Sequence, residues 1–113
     1  MDLFDEIQRL MQELTVSISR LKKNGEKLAE AERDYKITLR EEALKLRADG
    51  TPVTLINQII YGVKSVADKR FTRDVAEAVY TANQEHINIV KLKLRILEEQ
   101  LTLEWNNAGR SGT

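Results

Sequence analysis

Asp49-Gly50-Thr51-Pro52-Val53-Thr54-Leu55-Ile56-Asn57-Gln58-Ile59-Ile60-Tyr61-Gly62 lies near the middle of a 113-residue chain and holds its single proline. The reading of this stretch decides the fold. Glycine accepts the left-handed conformation that commonly closes a helix, so Asp49-Gly50 reads as the stop of whatever precedes it. Proline has no amide to leave unused in a first helical turn, so Thr51 as N-cap with Pro52 at the first helical position reads as a fresh start. The apolar run that follows, closed by Gly62, makes a short helix of about two turns, a plug or turn element between two longer halves.

Working outward, the first half carries apolar residues at Leu3, Ile7, Leu10, Leu14, Ile18, Leu21, Leu28, Tyr35, Leu39, Ala43 and Leu46. The spacing alternates between three and four, with gaps at Gly25 and Glu32, and predicts one amphipathic helix from about residue 3 to 48. Such a helix is roughly 70 Å long. Asp2 suits its N-cap, because a carboxylate accepts from the free amides of the first turn. Asn24-Gly25 is the weak point, since mid-helix glycine costs about 1 kcal/mol relative to alanine, and a kink or short break is expected there.

The second half has its own seam at Ala76, Tyr80, Asn83, Ile87, Val90, Leu94, Leu97, Leu101 and Trp105. It predicts a helix from about Ser65 to Asn106, with Ser65-Val66-Ala67-Asp68 as a capping box that uses aspartate in the glutamate position. Asn107-Ala108-Gly109-Arg110-Ser111-Gly112-Thr113 reads as a flexible tail. The expected fold is therefore all-α: two long antiparallel helices, a coiled-coil-like helical hairpin joined by a short apolar helix. Residues 1–106 form a single domain and 107–113 the tail. Glu32-Lys36, Glu41-Lys45 and Asp5-Arg9 each place an acid four residues before a base and support the helices.

Composition narrows the chemistry. With no cysteine, neither a disulfide framework nor a thiolate metal site is possible. No apolar run approaches the roughly 18 residues of a membrane span. The opening MDLFDEIQRL is acidic where a signal peptide is basic, which points to the cytoplasm. Eighteen basic residues balance eighteen acidic ones, against a general polyanion binder. The lone histidine, His86, has Asn83 three residues before it, so the Glu-x-x-His pairing of carboxylate metal bundles is missing. No serine stands in a nucleophile-elbow context, and the glycines form no phosphate loop. Neither enzyme activity nor a cofactor is expected.

Two binding readings remain. The last helix carries Val75, Val79, Ile89, Leu92, Ile96 and Leu103 beside its seam, an apolar face wider than one neighbouring helix covers. That predicts a homo-oligomer, a dimer or larger, with Val79, His86, Ile89, Ile96, Leu103 and Trp105 as the residues of self-association or partner contact. The alternative is a small DNA-binding module, in which the short helix and the turn through Gly62 lead into a basic patch of Lys64, Lys69, Arg70 and Arg73. Asp68 and Asp74 interleave those cations, which favours a solvated charged face over nucleic-acid contact.

Leu46-Arg47-Ala48-Asp49-Gly50-Thr51-Pro52-Val53-Thr54, then Gly62, Val66-Ala67, Tyr80-Thr81-Ala82, Glu85-His86-Ile87-Asn88 and Lys91, carry a resemblance over roughly residues 36–105. The chain resembles small helical proteins of bacteriophages and prophages of Gram-positive bacteria. The resemblance implies a phage-encoded accessory protein, intracellular during infection or lysogeny. Such a protein would bind phage or host proteins in DNA replication or recombination, or in blocking a host defence. It brings no catalytic or ligand residue with it.

Overall fold

The computed structural model describes residues 2–111. Helix α1 spans Leu3–Ala48, α2 spans Val53–Ile59 with a 3-10 turn at Ile60–Gly62, and α3 spans Lys64–Ser111. No strand occurs among the described residues. Two long helices joined by a short apolar one is the arrangement that the spacing implies.

The ends of α1 follow from its sequence. The Asp5 amide donates to Asp2 Oδ1 at 2.8 Å, the N-cap bond expected of an aspartate there. Asp5 and Glu6 in the first turn and Lys45 and Arg47 in the last complement the helix dipole. At the far end Gly50 takes φ +84°. The amides of Thr51 and Gly50 then reach the carbonyls of Leu46 and Arg47, each at 3.0 Å, which closes the helix as a Schellman motif.

The next start falls one residue later than expected. Pro52 takes an extended conformation (φ −58°, ψ 142°) and is the N-cap of α2 instead of its first helical residue. Its carbonyl accepts from Leu55 and Ile56 at 3.0 Å each. Val63, in extended conformation, precedes α3, and the Ala67 amide donates to its carbonyl at 2.9 Å. The capping box on Ser65 is therefore not used; the Asp68 carboxylate pairs with Lys64 Nζ at 2.8 Å.

Helix α1 is continuous through Gly25, so the short break expected there does not occur. A methyl group at that position would stand 3.4 Å from Tyr80 Cε2, so the ring lies beside the α1 backbone here and fills the gap in the apolar spacing. Helix α3 likewise continues past Asn106 to Ser111, through the start of the expected tail; Gly112 and Thr113 lie outside the described residues.

Packing gathers into two compact units, one made of residues 1–22 with 82–113 and the other of 23–81. In the first, Ile7 and Leu10 of α1 pack with Val90 and Leu94 of α3, flanked by Leu14 and Leu97. Ser17 is buried on the same seam and Ile18 is half-exposed, the reverse of the expected phase. The reason is continuity: the inward face steps through positions 10, 14, 17 and 21, and Ile18 falls to one side. In the second unit, Tyr35 packs with Ile56, Ile60 and the fully buried Val66, backed by Leu39, Ala43, Leu46 and Val63. Helix α2 is thus the plug of this unit. Ala31 is buried here and fills the seam beside Glu32, where the apolar spacing lapses. In both units α1 and α3 run antiparallel, as the pairs Glu13–His86 and Ser17–Asn83 show in the first and Gly25–Tyr80 and Tyr35–Arg73 in the second.

Candidate interaction surface

Once one face of α3 is spent on α1, a second apolar face remains in the first unit. Ile89, Leu92, Ile96 and Leu103 are each half-exposed or more, Leu103 at 62 %. Their steps of three, four and seven residues set them in a single row along the helix, the a and d spacing of a coiled-coil seam. Glu85 precedes Ile89 in the same row, Glu99 falls within it between Ile96 and Leu103, and Lys93 and Arg95 flank it. None of these four side chains belongs to the buried interior of Ile7, Leu10, Val90 and Leu94 or to the partly buried Leu14 and Leu97 beside it.

Helix α1 adds a smaller row in the same unit: Phe4, Met11 and Ile18, seven residues apart and each half-exposed. A shallow groove of about 290 Å³ lies beside Ile96, floored by Leu10 and Leu97 and rimmed by Glu6, Arg9 and Lys93. Arg9 donates to Glu6 and Glu13 on its own helix, so this rim is internally paired. The hydrogen bond from Arg9 holds the Glu6 carboxyl below its ordinary value and raises the Arg9 guanidinium in turn. Lys45 pairs with Glu42 at 3.2 Å; Arg9 and Lys45 thus take other acids than the expected Asp5 and Glu41.

His86 stands at the edge of the row. Its Nε2 is 3.0 Å from Glu13 Oε1, so it bridges α3 to α1 while about half its side chain faces solvent. Among the described residues no group of three or more His, Cys, Asp or Glu side chains converges to hold a metal ion. Trp105 falls elsewhere. It continues the inner seam beyond Leu97 and Leu101, and at 78 % exposure it is neither core nor part of the outer row.

Val79 belongs to the second unit. With Val75, Ala31 and Ala76 it floors a groove of about 420 Å³ whose rim carries Lys27, Glu30 and Asp34. The six residues expected at an interface therefore divide. Ile89, Ile96 and Leu103 share one row, His86 borders it, Trp105 follows the inner seam, and Val79 lines a separate groove. Leu92 completes the row; its place was readable from the three-residue step after Ile89. Around α2, Val53, Leu55, Ile59 and Tyr61 are exposed, so only one side of this short helix is packed.

The basic patch is largely engaged within the chain. The Arg73 guanidinium lies 4.7 Å from the centroid of the buried Tyr35 ring and 2.7 Å from Asp74 Oδ1. Arg70 stacks 5.5 Å from the centroid of Tyr61, and Lys64 pairs with Asp68. The hydrogen bonds to Asp74 and Asp68 raise the Arg73 and Lys64 pKa values, fixing both as cations already partnered. Lys69 remains exposed. Three of the four expected contacts thus serve packing or local pairing.

No protein-family model, curated protein or solved structure matches the chain. No helix among the described residues is long and apolar enough to cross a membrane.

Proposed function

We propose that the chain is a non-enzymatic helical interaction protein that self-associates and offers a helical surface to a protein partner. One observation carries the reading: Ile89, Leu92, Ile96 and Leu103 form a coiled-coil-spaced apolar row left open by their own chain. Contiguous apolar surface of this kind marks binding sites on soluble proteins. The resemblance to phage and prophage proteins frames the biology. In that frame the protein is an accessory factor of phage DNA metabolism or of defence against the host, acting in the host cytoplasm on a phage or host protein.

The test is a double substitution, Ile89→Asp with Ile96→Asp, followed by light scattering after gel filtration. These side chains contribute nothing to the buried interior, so helicity is retained while the assembly falls to the mass of one chain, 13.0 kDa. An assembly unchanged in that variant contradicts the reading. A gel shift with duplex and single-stranded DNA covers the DNA-binding alternative: retardation that weakens steeply with salt would favour contact through Lys69 and its neighbours.

A further inference from the structure

We infer that the occupant of the open row is α3 of a second copy, running antiparallel, so that the C-terminal arm of each chain lies on the helical body of the other. This rests on the self-association proposed above and specifies its geometry.

The first argument is the arm itself. Leu97 is the last α3 side chain packed on the interior of its unit. The helix nevertheless continues from 98 to Ser111, with Leu101, Leu103 and Trp105 exposed. Helical stability in proteins comes mostly from packing of an apolar face, so an arm carrying Leu101, Leu103 and Trp105 exposed gains from a surface to lie on. The second argument is area. Four side chains at half exposure or more present on the order of 400 Å² of apolar surface. A standard interface of about 800 Å² a side, slightly more than half of it apolar, requires close to that amount. The third is charge. A chain with 18 basic and 18 acidic residues has no net charge to hold two copies apart.

Orientation follows from the acids in the row. A parallel, in-register pair sets Glu85 against Glu85 and Glu99 against Glu99, like charges in a desolvated seam. An antiparallel pair in which Leu92 of each copy meets Leu103 of the other removes that conflict. In the same register Glu99 of one copy stands at the level of Ile96 of the other, one residue from Arg95, and Ile89 stands at the level of Asn106. The pairing is isologous and closed, so it stops at two copies.

The absence of cysteine from the chain makes the test clean. Leu92→Cys and Leu103→Cys variants are prepared separately, checked for unchanged helicity, and oxidised or bridged with a short bismaleimide, alone and mixed. The expected result is a covalent dimer in the mixture and little or none in either variant alone. Cross-linking of each variant to itself would overturn the antiparallel register and leave self-association standing. A dimeric wild-type chain with no cross-link in any sample would move the interface off this row. A wild-type chain that stays monomeric would overturn both the geometry and the self-association beneath it, and assign the row to a different protein.

Discussion

Asn83 Nδ2 donates to the backbone carbonyl of Ser17 at 3.1 Å, a part-buried hydrogen bond between residues 66 positions apart. It sits on the seam of the first unit, where Ser17 is the one buried polar residue among the described residues. The small Ser17 side chain leaves room for the amide to reach the α1 backbone. A single polar residue at a seam position fixes which turn of one helix faces which turn of the other. Asn83→Ala should lower stability by about 1 kcal/mol, the net value of one such bond. Urea denaturation checks this: the midpoint falls and the slope is unchanged.

Two glycines should respond oppositely to alanine. Gly25 is helical, and an added methyl meets the Tyr80 ring at 3.4 Å, ordinary van der Waals contact, so Gly25→Ala should stabilise by up to about 1 kcal/mol. Gly50 holds φ +84°, which a β-carbon disfavours, so Gly50→Ala should destabilise by about 1 kcal/mol. Paired thermal melts read both signs directly.

Arg73 should behave as a packing residue and Lys69 as a surface one. Removing the guanidinium strips a cation–π contact and its apolar stem from Tyr35, so Arg73→Ala should cost about 1–2 kcal/mol. Lys69→Ala should stay within about 0.5 kcal/mol. Equal effects of the two on stability, or a shared loss of DNA retardation, would count against this division.

The Glu6 carboxyl, lowered chiefly by the hydrogen bond from Arg9, gives a pH dependence of known sign. A carboxyl with a depressed folded-state pKa adds stability above its unfolded value and loses it as pH falls through the folded one. Glu6→Gln should therefore flatten the acid limb of the stability curve and leave the neutral-to-basic region little changed. The pair is open to solvent on the helix surface, so the effect is small and should shrink further in high salt.

The helices were legible because their signals are local. Asp2, Asp49-Gly50 and the three-four spacing each act within a turn or two, and α1 begins and ends where they indicate. The one-residue shift at Pro52 was hidden because proline's fixed φ suits the N-cap and the first helical position alike, and only the observed ψ of 142° separates them. Ser17 and Ala31 were missed as seam residues since they are small and, for Ser17, polar; only the facing helix makes them interior. The lapse at Gly25 has the same origin, being filled by the Tyr80 ring from α3. The outer row of α3 was visible as excess apolar width. Its membership was less so: Trp105 has the phase of the inner seam, and Val79 lines a groove that only the packing of the second unit defines.

Sedimentation equilibrium of the unmodified chain over micromolar concentrations tests the central claim most directly. A second copy covering the outer row predicts a species of twice 13.0 kDa that dissociates on dilution and is lost in the Ile89→Asp, Ile96→Asp variant. A single species at 13.0 kDa across the whole range would contradict it.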